Sequence, residues 1–532
     1  MSFDPSKKHR KFDEYHDKWR RQRDVVGGED RVKHPSVSKR YLPPLAGQPT
    51  GSERYPQPSE TRVSTYESYR DRAVFMNATG RTRDGLVGAI MRKEPDVTWP
   101  AAQEEALTYA GASLDSFHEV IDETLDEVVG IGRFGHLVDL PRDADENAEP
   151  YIATYVAESI VNWEHDLIDG RRRLTMVALR EKSGNVVEVD GHAREMERYR
   201  ILWLGAPVPR TDEEEQMQVE DFLAEQGLSP TDFEDGLVYY QEVWDEVESS
   251  TGDGGESEFS FSYRAVPRAA GGVLFREIPF VFFNATTNRA KPEKPPLQDI
   301  AVVNLSHYRN SADYEHGMHF TALPQPYAAG FDFNGPLAIG SGYAWVTDNP
   351  QAKAGYLEFS GAGLSTLKDA MERKEKHMAA LGGRLIEEQP GAGAQEAAET
   401  VKLRQAGEQS ALSRIAQATS RGLTRTLGFL AQFRGIGTEV GVQLNQDFGT
   451  AGLSPQLLAA LMQQVQGGLM SWPVYYFNLN RGELYPDAWT AEDEAAAIIG
   501  GPPGGGLDAA LSPDREDRRP PDDDEGDDDD EG

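Results

Sequence analysis

Residues 295–324 read PPLQDIAVVNLSHYRNSADYEHGMHFTALP. The run is a single long helix between two proline stops. Pro295 and Pro296 suit a helix entrance, because the N–H that proline lacks has no partner in the first turn anyway. Asp299 places a negative charge where the helix dipole favours it. Leu297, Ala301, Leu305, Tyr308 and Ala312 recur at helical spacing and make an apolar stripe, while Asn310, Asp313 and His316 occupy the opposite face. From Pro296 to Leu323 such a helix spans about 40 Å. That length fits either a central core helix of a large α+β protein or a strut that carries one part of the chain away from another.

The sequence beyond Pro324 favours the strut. There the pattern changes to short strands and turns, LAIGSGYAWVTD and GYLEFSG, a small β module. A second helix is expected over Leu364–Leu381, with Thr366 and Asp369 placed like a capping box. A glycine-bearing stretch comes next, and then a third helix over Gln395–Phe433, in which Gly407, Gly422 and Gly428 invite kinks. The order is helix, β module, helix, loop, long helix. A β module this small is marginal alone and gains from lateral contacts with copies of itself. On this reading the stripe of the first helix packs against its partner helix and neighbouring subunits rather than into one monomer's core.

The rest of the chain supplies an α+β body. Residues 1–56 read as a peripheral arm with one short helix, locally basic from Lys7 to Arg23. Helices are expected over Ser64–Ile90, with Gly80 as a possible break, and over Ala101–Val129, with Leu107, Leu114, Phe117, Ile121, Leu125 and Val128 on one side. Strands follow at HLVDL, Tyr151–Trp163, Leu174–Arg180, Tyr199–Leu204, Leu237–Val247, Phe259–Val266 and Phe280–Phe283, with hydrophilic inserts at Thr211–Gln226 and Glu248–Glu258. A strand is expected at Thr438–Phe448 and short helices at Pro455–Leu469 and Ala491–Ile499. Helices first and sheet after make an α+β domain over residues 60–290. From Gly500 onward, low hydrophobicity and high charge predict disorder.

The 532 residues carry a net charge of −35 and no cysteine. Disulfides and thiolate metal sites are excluded, and the length calls for more than one core. Nine acids lie in Asp522–Gly532, so the remainder is still at −26. A protein that grips DNA through its phosphates should be basic. This one either ignores nucleic acid or lets it pass without sticking. No run of eighteen apolar residues appears, and the charged N-terminus argues against a signal peptide, so no membrane partner is expected. Catalytic motifs are missing. There is no GxxxxGK[ST], GAGLST at Gly361 follows no βαβ unit, and there is no G-x-S-x-G. His316 and His319 with Glu315 evoke a zinc helix, but Ala312 stands where the pattern needs histidine, which leaves them ordinary polar residues. No enzyme activity and no cofactor are expected. The acidic tail reads as a solubility tail, with docking to a basic partner as the alternative.

Several phrases then stand together: KWRRQRDVVGGEDRVK, RYLPPLAGQ, YESYRDRAVFMNATGRTRDGLVGAIMRKEPDV, GRFGHLVDLP, ESIVNW, PPLQDIAVVNLSHYRNSADYEHGMHF, ETVKLRQAGEQSALSRIA, VQLNQDF and LNRGELYPD. In this order they resemble a family of tailed-bacteriophage portal proteins, common in siphophage and prophage genomes, that carries a domain of unknown function. The resemblance covers roughly residues 15–490. It implies a portal fold in a ring, usually dodecameric, at one capsid vertex of the virion, assembled in the host cytoplasm. Its channel would conduct double-stranded DNA during packaging and ejection. Implied partners are the terminase large subunit, the head–tail adaptor and the major capsid protein or scaffold.

On that mapping residues 1–57 are an N-terminal arm, 58–294 the wing, 295–324 the first stem helix, 325–363 the clip and 364–383 the second stem helix. Residues 384–450 hold the tunnel loop, the long wing helix and a wing strand; 451–499 are the crown and 500–532 the acidic tail. Glu387 and Glu388 would then form acidic rings facing DNA. Asn310 and Asp313 become candidates for subunit contacts or the channel wall. Lys368, Arg373, Lys374 and Lys376, interspersed with Asp369, Glu372 and Glu375, would form salt bridges within the helix or between subunits, or else a basic ring touching DNA. The alternative reading is another acidic oligomeric virion protein, such as a head–tail adaptor or a scaffold.

Overall fold

The computed structural model describes residues 3–45, 65–141, 148–189, 192–207, 213–233, 237–247, 258–321, 325–331, 344–357, 361–382, 398–437, 439–446, 448, 455–467, 469–471, 474–476 and 479. The chain divides into two compact units, Met1–Phe448 and Gly449–Gly532. The second unit includes the helix given below as α12.

The first unit opens with helices α1 (Arg10–Val26), α2 (Glu29–Lys33), α3 (Ser38–Tyr41), α4 (Thr65–Arg72) and α5 (Ala78–Ile90). Strand β1 (Asp96–Thr98), α6 (Glu105–Thr108) and α7 (Phe117–Gly130) lead to the sheet strands. These are β2 (Arg133–Asp139), β3 (Tyr151–Val156), β4 (Ile160–Ile168), β5 (Arg171–Val189) and β6 (His192–Leu204). After α8 (Glu213–Glu225) come β7 (Tyr239–Val247), β8 (Glu258–Ala265), β9 (Arg268–Ala269), β10 (Val273–Leu274) and β11 (Phe280–Asn284). The chain continues through α9 (Gln298–Thr321), β12 (Gln325–Ala329), β13 (Lys353–Leu357), α10 (Ala362–Gly382), α11 (Ala398–Arg434), β14 (Gly441–Gln443) and α12 (Pro455–Gln466). The mixture of helix and strand is α+β, as the sequence pattern indicates.

Strands β4 to β8 form an antiparallel five-stranded meander, and β11, β2 and β3 form a second sheet in that order. The main core lies between the second sheet, α7 and α11, with Phe134, Phe283, Leu125, Val128, Leu423, Leu427 and Leu430 fully buried. α11 is one uninterrupted helix. Gly422, expected to kink it, instead allows close approach to the sheet: a Cβ there would meet the Phe283 ring at 2.3 Å. β14 pairs with β1, tying the end of the unit to its first third.

Several boundaries differ from the sequence expectation. The helix expected over Ser64–Ile90 breaks at residues 73–77, ahead of Gly80. Asn77 caps the restart by accepting from the Gly80 N–H at 2.9 Å, as N-cap side chains do. The backbone freed by the break is taken up by α9. Val74 N–H donates to Ser311 Oγ at 3.0 Å, Thr79 N–H to Asn304 Oδ1 at 3.1 Å, and Asn304 Nδ2 donates to Met76 O at 2.8 Å. The helix expected over Ala101–Val129 is likewise two short turns and then α7. Leu114, assigned to its apolar side, is exposed at φ 67°. α7 starts at a capping box in which Ser116 and Glu119 satisfy each other's backbone N–H groups. Thr366 and Asp369 are no capping box, since α10 begins at Ala362 and both lie inside it. The insert at 211–226 contains α8.

The arm is not peripheral. Trp19 and Val25 of α1 are fully buried. Arg23 donates to both Glu127 oxygens at 2.6 and 2.8 Å and to Glu158 at 2.8 Å, so part of the local positive charge is spent inside the fold.

Candidate functional site: the helix pair and its β hairpin

α9 and α10 run antiparallel along each other. Ser306 O accepts from Lys374 Nζ at 2.9 Å, and His307 Nε2 meets Glu375 Oε1 at 3.0 Å. Nearer the hairpin, Gly317 faces Leu364 so closely that a Cβ would sit 2.7 Å from Cδ2. Paired residue numbers therefore fall on one helix as they rise on the other, which is the signature of an out-and-back pair. At the turn, β12 pairs antiparallel with β13, from Gln325 opposite Leu357 to Ala329 opposite Lys353. Residues 332–343, where much of the expected β module lies, are outside the described residues. At the other end Met378 enters the main core, so the pair is rooted in the body by a packed apolar side chain.

The stripe on α9 is buried as its spacing predicts, but its partner differs. Ala301, Leu305, Tyr308 and Ala312 form one cluster with Val25, Val32, Tyr41, Tyr66, Tyr69 and Phe75. The stripe therefore packs on the chain's own N-terminal helices, not on α10 or a second copy. α10 takes a different face, marked by the Ser306 carbonyl, His307 and Gly317.

The residues singled out from the sequence fall into several environments. Asp313 accepts from Tyr69 Oη at 2.6 Å, and Asn310 is half-buried. His316 stands 3.4 Å from Arg72 Nη2 and edge-on to Tyr69. Asp313 and His316, expected on the face opposite the stripe, are thus engaged by α4, which also covers the stripe; His316 follows Ala312 by four residues and so lies on the same side of the helix. Lys368 and Arg373 are exposed; Lys368 lies 3.9 Å from Glu372, and Arg373 Nε donates to Asp369 O at 3.3 Å. Lys376 is exposed. Lys374 is set apart from these three. Burial, and then the Arg309 guanidinium, hold its ammonium below the ordinary lysine value. Glu387 and Glu388 lie outside the described residues.

The sequence reading missed the His307–Glu375 contact, and the anchor role of Asn304 and Ser311. The last had a legible signal: two small polar residues inside an apolar stripe, one helical heptad apart, mark a face that receives backbone rather than side chains. Among the described residues no helix is long and apolar enough to cross a membrane.

Residues 296–434 match the model of a family described as a domain of unknown function, DUF4055. The match begins at the entrance of α9 and ends with α11, so it takes in the helix pair, its hairpin and the long helix. No curated protein matches the chain. Among solved structures, similarity is found to a chain from the neck of a native gene transfer agent (GTA) particle computed with C12 symmetry: 12% identity, TM-score 0.34, covering 76% of this chain and 89% of that one. A chain from the neck of an empty GTA particle computed with C6 symmetry shows 12% identity and a TM-score of 0.36, over 76% and 90%. A chain from the virion of a native GTA particle shows 11% identity and a TM-score of 0.34, over 78% and 92%.

Proposed function

We propose that this chain is the subunit of a portal ring in a tailed-phage virion. The ring would conduct double-stranded DNA inward and outward and dock first the packaging motor and then the head–tail adaptor. The observation that carries the reading is the out-and-back pair α9–α10 with a β hairpin at its turn, followed by the long helix α11. It supports a stem, a clip and a wing helix in the order that the portal phrases require. Acidity supports it too, since walls poor in unpaired lysine and arginine do not pin phosphates. On this reading the protein performs no chemistry of its own, and a separate ATP-driven subunit moves the DNA. Electron microscopy of the purified full chain should show closed rings with a central hole, dodecamers if the chain follows the portal family it resembles. A stable monomer at high concentration, with no rings in particles, would overturn the proposal.

Glu387 and Glu388 are proposed to line the channel as acidic rings. Replacing both with lysine reverses the sign of the field at each ring and gives passing phosphates a place to bind. DNA packaging should fall and become strongly salt-dependent. Unchanged packaging across salt would remove these residues from the channel wall.

A further inference from the structure

A cleft of about 1200 Å³ takes no residue from α9 or α10. It lies where the turn between β4 and β5, the loop after β11 and the residues around the start of α1 meet α11. Lys11, Arg171, Arg172, Arg173, Arg289 and Lys291 line it. Elsewhere in this acidic chain, arginines stand against carboxylates, as Arg23, Arg198, Arg200 and Arg264 do. In the cleft, Arg171, Arg172, Arg173, Arg289 and Lys291 form no ion pair among the described residues. Two acids share the lining, Glu164 and Glu277, and Glu277 is bound to Arg425 at 2.8 Å.

Further positive charge lies beneath the wall. Arg133 is fully buried, 4.5 Å over the Trp163 ring and 5.0 Å from Phe282, both of which line the cleft. Its Nε and Nη2 have no hydrogen-bond partner among the described residues. His9 stacks on Trp163 at 4.2 Å. Burial, and then Arg133 and Lys11, hold its imidazole below the ordinary value.

We propose that this cleft binds a short carboxylate-rich peptide segment of another protein chain. Guanidinium forks donate to carboxylates in two-point contacts, and the arginines at the start of β5, with Arg289 from the loop after β11, offer several such forks around one cleft. The chain's net charge of −35 limits the ligand's length. The field of the cleft is screened within about 8 Å at physiological salt. A duplex, with one charge per roughly 1.7 Å of axis, runs past that distance into repulsion from the rest of the protein. A short acidic segment keeps its charge within the cleft. The run DDDEGDDDDEG at Asp522–Gly532 has this chemistry and is brought by every further copy of the protein. The inference does not depend on the portal reading.

The test uses full-length protein and a fluorescent synthetic peptide of the sequence Asp522–Gly532, followed by anisotropy. Saturable binding that weakens with salt is expected. Arg172→Glu and Arg289→Glu should each weaken it about tenfold or more, with thermal unfolding unchanged because both side chains are exposed. Lys368→Glu, on α10, should leave binding as it was. Absence of peptide binding, or binding indifferent to the two cleft reversals, overturns the proposal. So does tighter binding, at the same residues, of a duplex oligonucleotide or of inorganic phosphate.

Discussion

Replacing Tyr308 by alanine is expected to destabilise the chain by about 3–5 kcal/mol, the range for removing a fully buried aromatic side chain. Tyr308 is 0% exposed and stands edge-on to Phe75 at 5.5 Å. It lies at the centre of the contact between α9 and the N-terminal helices. Denaturant unfolding of Tyr308→Ala, Phe75→Ala and the double variant should show coupling of about 0.5–1.5 kcal/mol, as for an aromatic pair in contact. Met378→Ala sits in the other cluster and should add to Tyr308→Ala without coupling. A loss under about 1 kcal/mol would move the stripe out of the monomer. So would a loss seen only at concentrations where copies associate. The result bears on the proposed function, which makes α9 a stem helix: a helix clamped by the chain's own N-terminal helices would be held in place before any ring forms.

Acidification should act through His136. Its imidazole is fully buried between α7 and α11, with Thr124 Oγ1 at 2.9 Å from Nε2 and Thr426 Oγ1 at 3.2 Å from Nδ1. Burial pushes its pKa down to about 3. The unfolded chain takes up the proton near pH 6.5, whereas the folded state does not until about pH 3. The unfolded state therefore binds more protons throughout that window. The stability contribution is complete above pH 6.5 and is lost as pH falls, by about 1.4 kcal/mol per pH unit, or about 5 kcal/mol by pH 3. Asp139 opposes this. Burial raises its carboxyl pKa, so its own contribution grows as pH falls. The two separate on comparing wild type with His136→Gln, whose stability should decline much less between pH 6.5 and 4. Parallel curves would show that His136 is not the group that titrates.

The helices were legible where periodicity was long and unbroken. α9 and α10 lie within two residues of their expected starts, because proline and glycine end a helix whatever surrounds it. α11 was legible in extent, but its glycines were misread. Gly422 resembles a kink site in the chain and proves to be the one residue small enough to meet Phe283. The capping box at Ser116 was also present in the sequence and overlooked, because Leu107 and Leu114 extended the apolar pattern across an actual break. The β module was read only in part. The pairing of β12 with β13 involves QPYAA and KAGYL, of which only the end of KAGYL lay in a segment read as strand.

Of the residues named for the site, the structure assigns intramolecular partners to Asp313, His316 and Lys368, and backbone carbonyls to Arg373 and Lys374. Their spacing placed them on faces of helices but could not say what faces them. The same limit explains the cationic cleft. Its members come from positions 11, 171–173 and 289–291, and no local pattern in the sequence links Arg171–Arg173 to the others.

By itself the sequence determined the helix–hairpin–helix order, the apolar stripe on α9 and the acidity, since these follow from local periodicity, proline stops and composition. Only the tertiary structure decided which surface covers the stripe. A stripe records that a face is apolar and leaves its partner open; Tyr41, Tyr66, Tyr69 and Phe75 are that partner, through contacts spanning more than two hundred residues that no local pattern encodes. The same long-range packing decided where the first helices break, because Asn304 and Ser311 of α9 take up the backbone groups that the break between α4 and α5 sets free.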